Sequence, residues 1–215
     1  FAGSGLTGAA LRGARHVPAD SLDERVSAAL RELRAGTPVV YLYWSEIDHS
    51  GHGHGIGSDA WVGQVEQFDA GLAVLLRGLP HGVRTILTAD HGMINVDRSA
   101  IWDVASTPAL RWGVRIIAGE TRAAHVHAQV GHAREVEERW RDTLGDSAWV
   151  LSRDQMPALI GEGQGASIVG DLLVLARGYG GVVDSRTQSA SAIAMPGVHG
   201  SVTSAEMRIP VIALS

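Results

Sequence analysis

"VVYLYWSEIDHSGHGHG", residues 39–55, joins an apolar run to a segment that crowds three histidines, an aspartate and three glycines into its last ten positions. The run 39–44 is apolar at successive positions, so both of its faces suit burial, and it is expected to form a central strand of a covered sheet. The His/Gly segment then leaves the C-terminal end of that strand. Upstream, "SLDE" from Ser21 to Glu24 has capping-box spacing, a hydroxyl and a carboxylate three apart that satisfy free amides at a helix start. Leu22, Val26, Ala29, Leu30 and Leu33 recur at helical spacing, and Gly36 with Pro38 ends the pattern. Downstream, Ser58 or Asp59 caps a second expected helix, striped by Trp61, Val65, Phe68, Leu72 and Leu76. "RTILTADHG", residues 84–92, then gives a short buried strand ending in Asp90 and His91. Strand, loop, helix, strand is the pattern of a parallel α/β sheet. Such sheets place their ligand sites beyond the C-terminal ends of the strands, where both acid-histidine groups lie.

From about Trp112 the texture changes. "GVRIIAG", "AHVHAQV", a helix from about His132 to Leu144, "AWVLS" and "GDLLVLAR" read as short strands interleaved with helices, an α+β insertion packed on the main sheet. A Gly/Ser/Ala-rich stretch, 178–192, leads to "PGVHGS" and a last strand, "RIPVIAL". The expected organisation is a core over 1–111, an inserted α+β subdomain over 112–177 and a return to the core over 178–215.

Composition limits what the chain can do. With 215 residues, 45% of them apolar, it can bury a sizeable core. No apolar stretch is long enough to cross a bilayer. A net charge of -5 without a basic run argues against a nucleic-acid-binding surface. There is no cysteine, which excludes disulfides and thiolate ligands and leaves imidazole and carboxylate to hold any metal. No extracellular hallmark is visible, and a cytoplasmic location is expected. The opening "FAGSGLTGAALRGARHVPAD" reads as loop or domain interior, the beginning of a fragment or processed chain.

Asp48 and His52 lie four apart among Gly51, Gly53 and Gly55, a flexible loop in which both side chains can meet at one point. Carboxylate plus imidazole suits zinc, with iron or manganese as alternatives; the bland reading is a solvated His/Gly loop. Asp90 and His91, adjacent, would face opposite ways in a straight strand, but a bend at Gly92 lets both ligate one ion. The bland reading there is a capping aspartate beside a hydrogen-bonded histidine. His199, between glycines in "PGVHGS", is by itself a turn residue or a ligand brought in from far down the chain.

In combination the order is D-x-x-x-H, ADHG, G-x-HG. The chain resembles the type I phosphodiesterase/nucleotide pyrophosphatase branch of the alkaline phosphatase superfamily, with "DHSGH", "TADHGM" and "GVHGS" standing where that family carries its motifs. The resemblance implies an alkaline phosphatase-like α/β sheet covered by helices and a two-metal hydrolase acting on a small phosphate ester or nucleotide. Asp48, His52 and His199 would hold one divalent ion, and Asp90 and His91 the other. It also implies a threonine or serine nucleophile, with one further metal-binding aspartate, from a region preceding the first motif. The residues before Asp48 show neither in its usual setting. Thr7 is a superficial candidate without a strand-end aspartate before it, so an N-terminal part of the domain is expected to lie outside this chain. His49 and His54 are expected in outer-shell or solvent roles, and His125 and His127 in a structural one. Monoesterases, phosphonate hydrolases, sulfatases and phosphomutases of the superfamily share much of this framework, so a phosphomonoesterase is the alternative, and a noncatalytic metal-binding remnant a second.

Overall fold

A computed structural model describes residues 5–163, 165 and 168–214. In chain order its elements begin with α1 (Gly5–Ala10), α2 (Leu22–Arg34), α3 (Glu46–His54), α4 (Asp59–Gly78), β1 (Ile86–Thr88), β2 (Ile94–Asn95), β3 (Ile101–Asp103) and α5 (Pro108–Arg111). There follow β4 (Val114–Glu120), β5 (Ala123–Ala128), α6 (Ala133–Leu144), β6 (Ala148–Ser152), α7 (Pro157–Ile160) and β7 (Leu172–Ala176). The last are β8 (Gly181–Val183), α8 (Ala190–Ile193), β9 (Gly197–Val198), α9 (Ser204–Met207) and β10 (Val211–Ala213). They form two compact units, one of 1–47, 62–87 and 211–215, the other of 48–61 and 88–210. The opening stretch reads as loop or domain interior; of it, 5–10 are helical, and 1–4 lie outside the described residues.

In the first unit, α2 starts where the capping box predicts. Ser21 Oγ accepts from Glu24 N–H at 3.2 Å, and Glu24 Oε2 accepts from Ser21 N–H at 3.1 Å. Leu22, Val26 and Leu30 are buried against Leu42, Trp44, Leu75 and Leu79. Helix α4 approaches α2 closely because Gly71 and Gly78 present no side chain: a Cβ there would stand 2.5 Å from Leu22 Cδ2 and 2.6 Å from Leu30 Cδ1.

Two expectations fail in this unit. Residues 39–44 form no strand, and burial alternates along them: Leu42 and Trp44 pack inward, whereas Val39 is 81% and Tyr41 65% exposed. The composition is strand-like, but a strand exists only with a hydrogen-bonded neighbour, and none of the ladders formed by the described residues includes this segment. The strand expected in 84–92 does form, as β1 paired with β10, but it is short and Ile86 is 68% exposed, so it is not buried as its composition suggested.

The second unit is built on a sheet of order β4-β5-β7-β6, antiparallel throughout. Helix α6 covers one face with Val136, Trp140 and Leu144 against Val126, Val150 and Val174, and Trp140 Nε1–H donates to the Leu110 carbonyl at 3.0 Å. Met156 packs on the other face with Leu173 and Leu175. Apolar residues at every position of β7 thus reflect cover on both sides. Two further ladders bring the late part of the chain back to the early part. Strands β3 and β8 pair in parallel, as expected of an α/β core, whereas β2 and β9 pair antiparallel with Ile94 opposite Val198. The second of these ladders positions the site.

Candidate metal centre

The expected His/Gly loop is the helix α3, Glu46–His54. Asp48 and His52 are therefore one turn apart on one face, with His52 Nε2 3.5 Å from Asp48 Oδ1. Glycine disfavours a helix interior by about 1 kcal/mol relative to alanine, yet packing selects it here. A Cβ on Gly51 would stand 2.5 Å from Met93 Sδ, and one on Gly197 would stand 2.2 Å from the Gly51 carbonyl oxygen. The backbones of α3 and β9 are in direct contact, which sets His199, the next residue after β9, beside α3.

The β2–β9 ladder also brings the residues preceding β2 alongside His199. The His91 and His199 rings stack, with centroids 3.7 Å apart and planes inclined by 17°. His199 Nε2 lies 3.7 Å and His91 Nε2 4.0 Å from Asp48 Oδ1. The ligand atoms of Asp48, His52 and His199 all lie within 4.8 Å of one another. These separations are too long for hydrogen bonds. Two ligands 2.0–2.2 Å from a tetrahedral centre stand about 3.3–3.6 Å apart, so the His52–Asp48 separation already fits a shared ion and the other two need to close by a few tenths of an ångström.

Hydrogen bonding around the cluster points the same way. His52 Nδ1 is 2.9 Å from the Gly197 carbonyl, and His91 Nδ1 is 2.9 Å from the Gly92 carbonyl. A carbonyl only accepts, so each Nδ1 carries the proton, and the Nε2 of each ring is the atom turned toward Asp48, where it can offer a lone pair to a metal. Asp48 Oδ1 is buried and has no hydrogen-bond partner among the described residues. Burial first, then the neighbouring His91 ring, holds His199 below the ordinary histidine pKa, outweighing Asp48, so its imidazole also favours the neutral, ligating form. Lone pairs converging on an unsatisfied carboxylate oxygen repel one another until a cation separates them, and the donor set fits a divalent ion.

Asp90 is peripheral. Its side chain is 72% exposed, and Oδ1 accepts from His91 N–H at 3.1 Å while lying 3.7 Å from His91 Nε2. His91 thus stands between the Asp48 and Asp90 carboxylates. His49 and His54 are exposed on α3 and take no part in the cluster. His125 and His127 share one face of β5, where burial first, then His127, lowers the His125 pKa. Thr7 lies in α1, in the other unit.

Residues 12–201 match the sequence profile of the type I phosphodiesterase/nucleotide pyrophosphatase family. The chain belongs to that family. No curated protein sequence matches it. Among solved structures, murine ectonucleotide pyrophosphatase/phosphodiesterase 5, an inactive variant in complex with AMP, is similar with a TM-score of 0.73 at 20% identity, over 93% of this chain and 54% of that one. The human protein of the same name matches with the same TM-score at 17% identity, over 93% and 54% of the two chains. Phosphonoacetate hydrolase from Sinorhizobium meliloti 1021, in complex with phosphonoacetate, gives a TM-score of 0.68 at 21% identity, over 89% of this chain and 49% of that one. These likenesses show a shared α/β fold, and this chain spans about half the length of each.

Within this family member the motif glycines serve close approach. At Gly92 of "TADHGM" a Cβ would lie 2.0 Å from the Ala205 carbonyl oxygen, against backbone that cannot swing aside. Gly92→Ala is expected to destabilise the chain by about 1–3 kcal/mol, the usual cost of overpacking. Gly53→Ala, in a part of α3 with nothing within 4 Å, should instead be neutral or stabilise by up to about 1 kcal/mol. Urea midpoints of the two variants check this, and equal midpoints would contradict it.

Sequence reasoning missed Arg122 and Glu206, which are buried, Glu206 in hydrogen-bond contact with Ser201 and Gly92. The available signal was "TSAE", residues 203–206, which has capping-box spacing but turns its glutamate inward.

Proposed function

We propose that this chain supplies the metal-holding part of a phosphoric ester hydrolase of the phosphodiesterase/nucleotide pyrophosphatase type. The observation that carries the reading is the convergence of His52, His91 and His199 on the unsatisfied Asp48 Oδ1 in a member of that family. Asp48, His52 and His199 would hold one divalent ion, and Asp90 with His91 would hold a second. Zinc suits this nitrogen and oxygen donor set best, and manganese or iron are the alternatives. Two such ions, when bound, polarise a phosphoryl oxygen and stabilise the attacking and leaving oxygens.

The chain's own residues supply pre-oriented donors. The carbonyls of Gly197 and Gly92 fix the His52 and His91 rings, so these ligands are set before any substrate arrives. Ser201 Oγ donates to the Ala176 carbonyl at 2.6 Å and Thr88 Oγ1 to the Ala89 carbonyl at 3.3 Å, and the residues before Asp48 show no threonine or serine in the setting the family uses for its nucleophile. We therefore assign the attack, and the covalent intermediate of the family mechanism, to a threonine or serine outside these 215 residues. The isolated chain should turn over phosphate esters slowly or not at all. Metal-dependent turnover by this chain alone, abolished by Asp90→Ala, would refute that assignment.

The substrate class follows from family membership and charge. A phosphodiester linkage, a monoanion, makes fewer demands on positive charge at the reacting phosphorus than a monoester dianion, which needs donors beyond the two ions. None of the arginines lies within the three motifs. The longer protein, assayed with zinc or manganese, should therefore show a higher kcat/KM for bis-p-nitrophenyl phosphate than for p-nitrophenyl phosphate. The reverse order would make it a phosphomonoesterase, and metal binding without turnover of either ester would make it a noncatalytic remnant.

A further inference from the structure

Arg122 and Glu206 form an ion pair whose side chains are 0% and 1% exposed. The guanidinium donates in fork fashion, Nε–H to Oε1 at 3.1 Å and Nη2–H to Oε2 at 2.7 Å, and Nη1–H donates to the Gly180 carbonyl at 2.5 Å. Glu206 also accepts from the Ser201 N–H at 3.0 Å and from Thr203 Oγ1–H at 2.5 Å. Its backbone carbonyl accepts from the Gly92 N–H at 2.7 Å. Ser201 is two residues past His199, and Gly92 directly follows His91. A single glutamate therefore ties down both histidine-bearing segments, one through its carboxylate and one through its main chain.

The pair is a costly way to fill space. Two charges removed from water usually stabilise no better than apolar side chains of similar volume. An apolar pair, however, cannot accept the Ser201 N–H, and it would leave the segment past His199 without that anchor. Arg122 is itself fixed from the far side, because its carbonyl accepts from Ala176 N–H at 2.9 Å and Ala176 in turn accepts from Ser201 Oγ.

We propose that Arg122 and Glu206 are positioning residues that hold His91 and His199 in the orientation in which their Nε2 atoms face Asp48. The inference rests on the metal-binding reading of that cluster and extends it to two residues whose side chains hydrogen-bond to none of the ligand side chains. If the pair served stability alone, an apolar replacement that folds would bind metal normally.

The test uses the full 215-residue chain, its Arg122→Met/Glu206→Leu double variant and the Arg122→Lys single variant, which keeps the charge but loses the fork. Zinc titration by calorimetry is paired with amide hydrogen exchange of Ser201 and Gly92 in metal-free protein. The folded double variant is expected to bind zinc about 10- to 100-fold more weakly, the usual effect of losing outer-shell support. Faster exchange at Ser201 should accompany the loss, and Arg122→Lys should fall between it and the wild type. A folded variant with wild-type zinc affinity and wild-type protection at Ser201 would overturn the proposal. Should the double variant not fold, Arg122→Lys decides by the same two readouts. Failure of the wild type to bind zinc would remove the metal reading, while unchanged exchange at Ser201 in the variants would separately remove the clamp.

Discussion

His199→Ala is expected to weaken zinc binding by at least about 10- to 100-fold, because loss of an outer-shell partner alone costs that much and His199 is placed as a direct ligand. Asp48 and His52 come from one helix turn, and a catalytic zinc usually takes three protein ligands. On the proposed reading His199 would supply the third from 147 positions beyond His52, brought in by β9 and the glycine contact between Gly197 and Gly51. The control is His125→Ala, a half-buried histidine on β5 outside the cluster, which should leave zinc affinity unchanged. Equal zinc affinities for the two variants would remove His199 from the site and, with it, the role of the closing "GVHGS" motif.

Zinc should also raise the melting temperature strongly, and Asp48→Asn should cancel the effect. Free zinc at 1,000 times Kd stabilises the binding-competent state by about 4 kcal/mol. At about 2–4 °C per kcal/mol for a chain of this size, the unit holding the site should melt about 8–16 °C higher than in chelator. Without metal, Asp48 Oδ1 is a buried acceptor facing imidazole lone pairs, an arrangement that costs stability. An asparagine amide can donate where the carboxylate cannot. Asp48→Asn should accordingly melt no lower than wild type in chelator and lose nearly all of the zinc-induced shift. A full shift retained by Asp48→Asn would show that zinc acts elsewhere on the protein.

What was legible in the sequence was local chemistry with a strong periodic or capping signal. Ser21 and Glu24 announced the start of α2, and the spacing of Val136, Trp140 and Leu144 made α6 readable within one residue. The ligand candidates were legible because glycine-flanked histidines in three ordered motifs are a specific pattern. Their secondary structure was not. Gly51 and Gly53 argue for a loop by propensity, and only contact with Met93 and Gly197, residues distant in sequence, shows why the helix has glycine at 51, whereas a side chain at 53 would meet nothing within 4 Å. Residues 39–44 have a strand's composition, but composition cannot supply the ladder partner. Arg122 and Glu206 were invisible for a similar reason: 84 residues apart, each resembles a surface charge until the fold buries them together.

The central claim is that Asp48, His52 and His199 share one divalent ion. Anomalous diffraction at the zinc edge from crystals grown with zinc tests it most directly. The predicted result is a peak about 2.0–2.2 Å from Asp48 Oδ1, His52 Nε2 and His199 Nε2 together, the usual distances for zinc on carboxylate and imidazole. A fully occupied zinc elsewhere on the chain, with no peak among these three atoms, would contradict it.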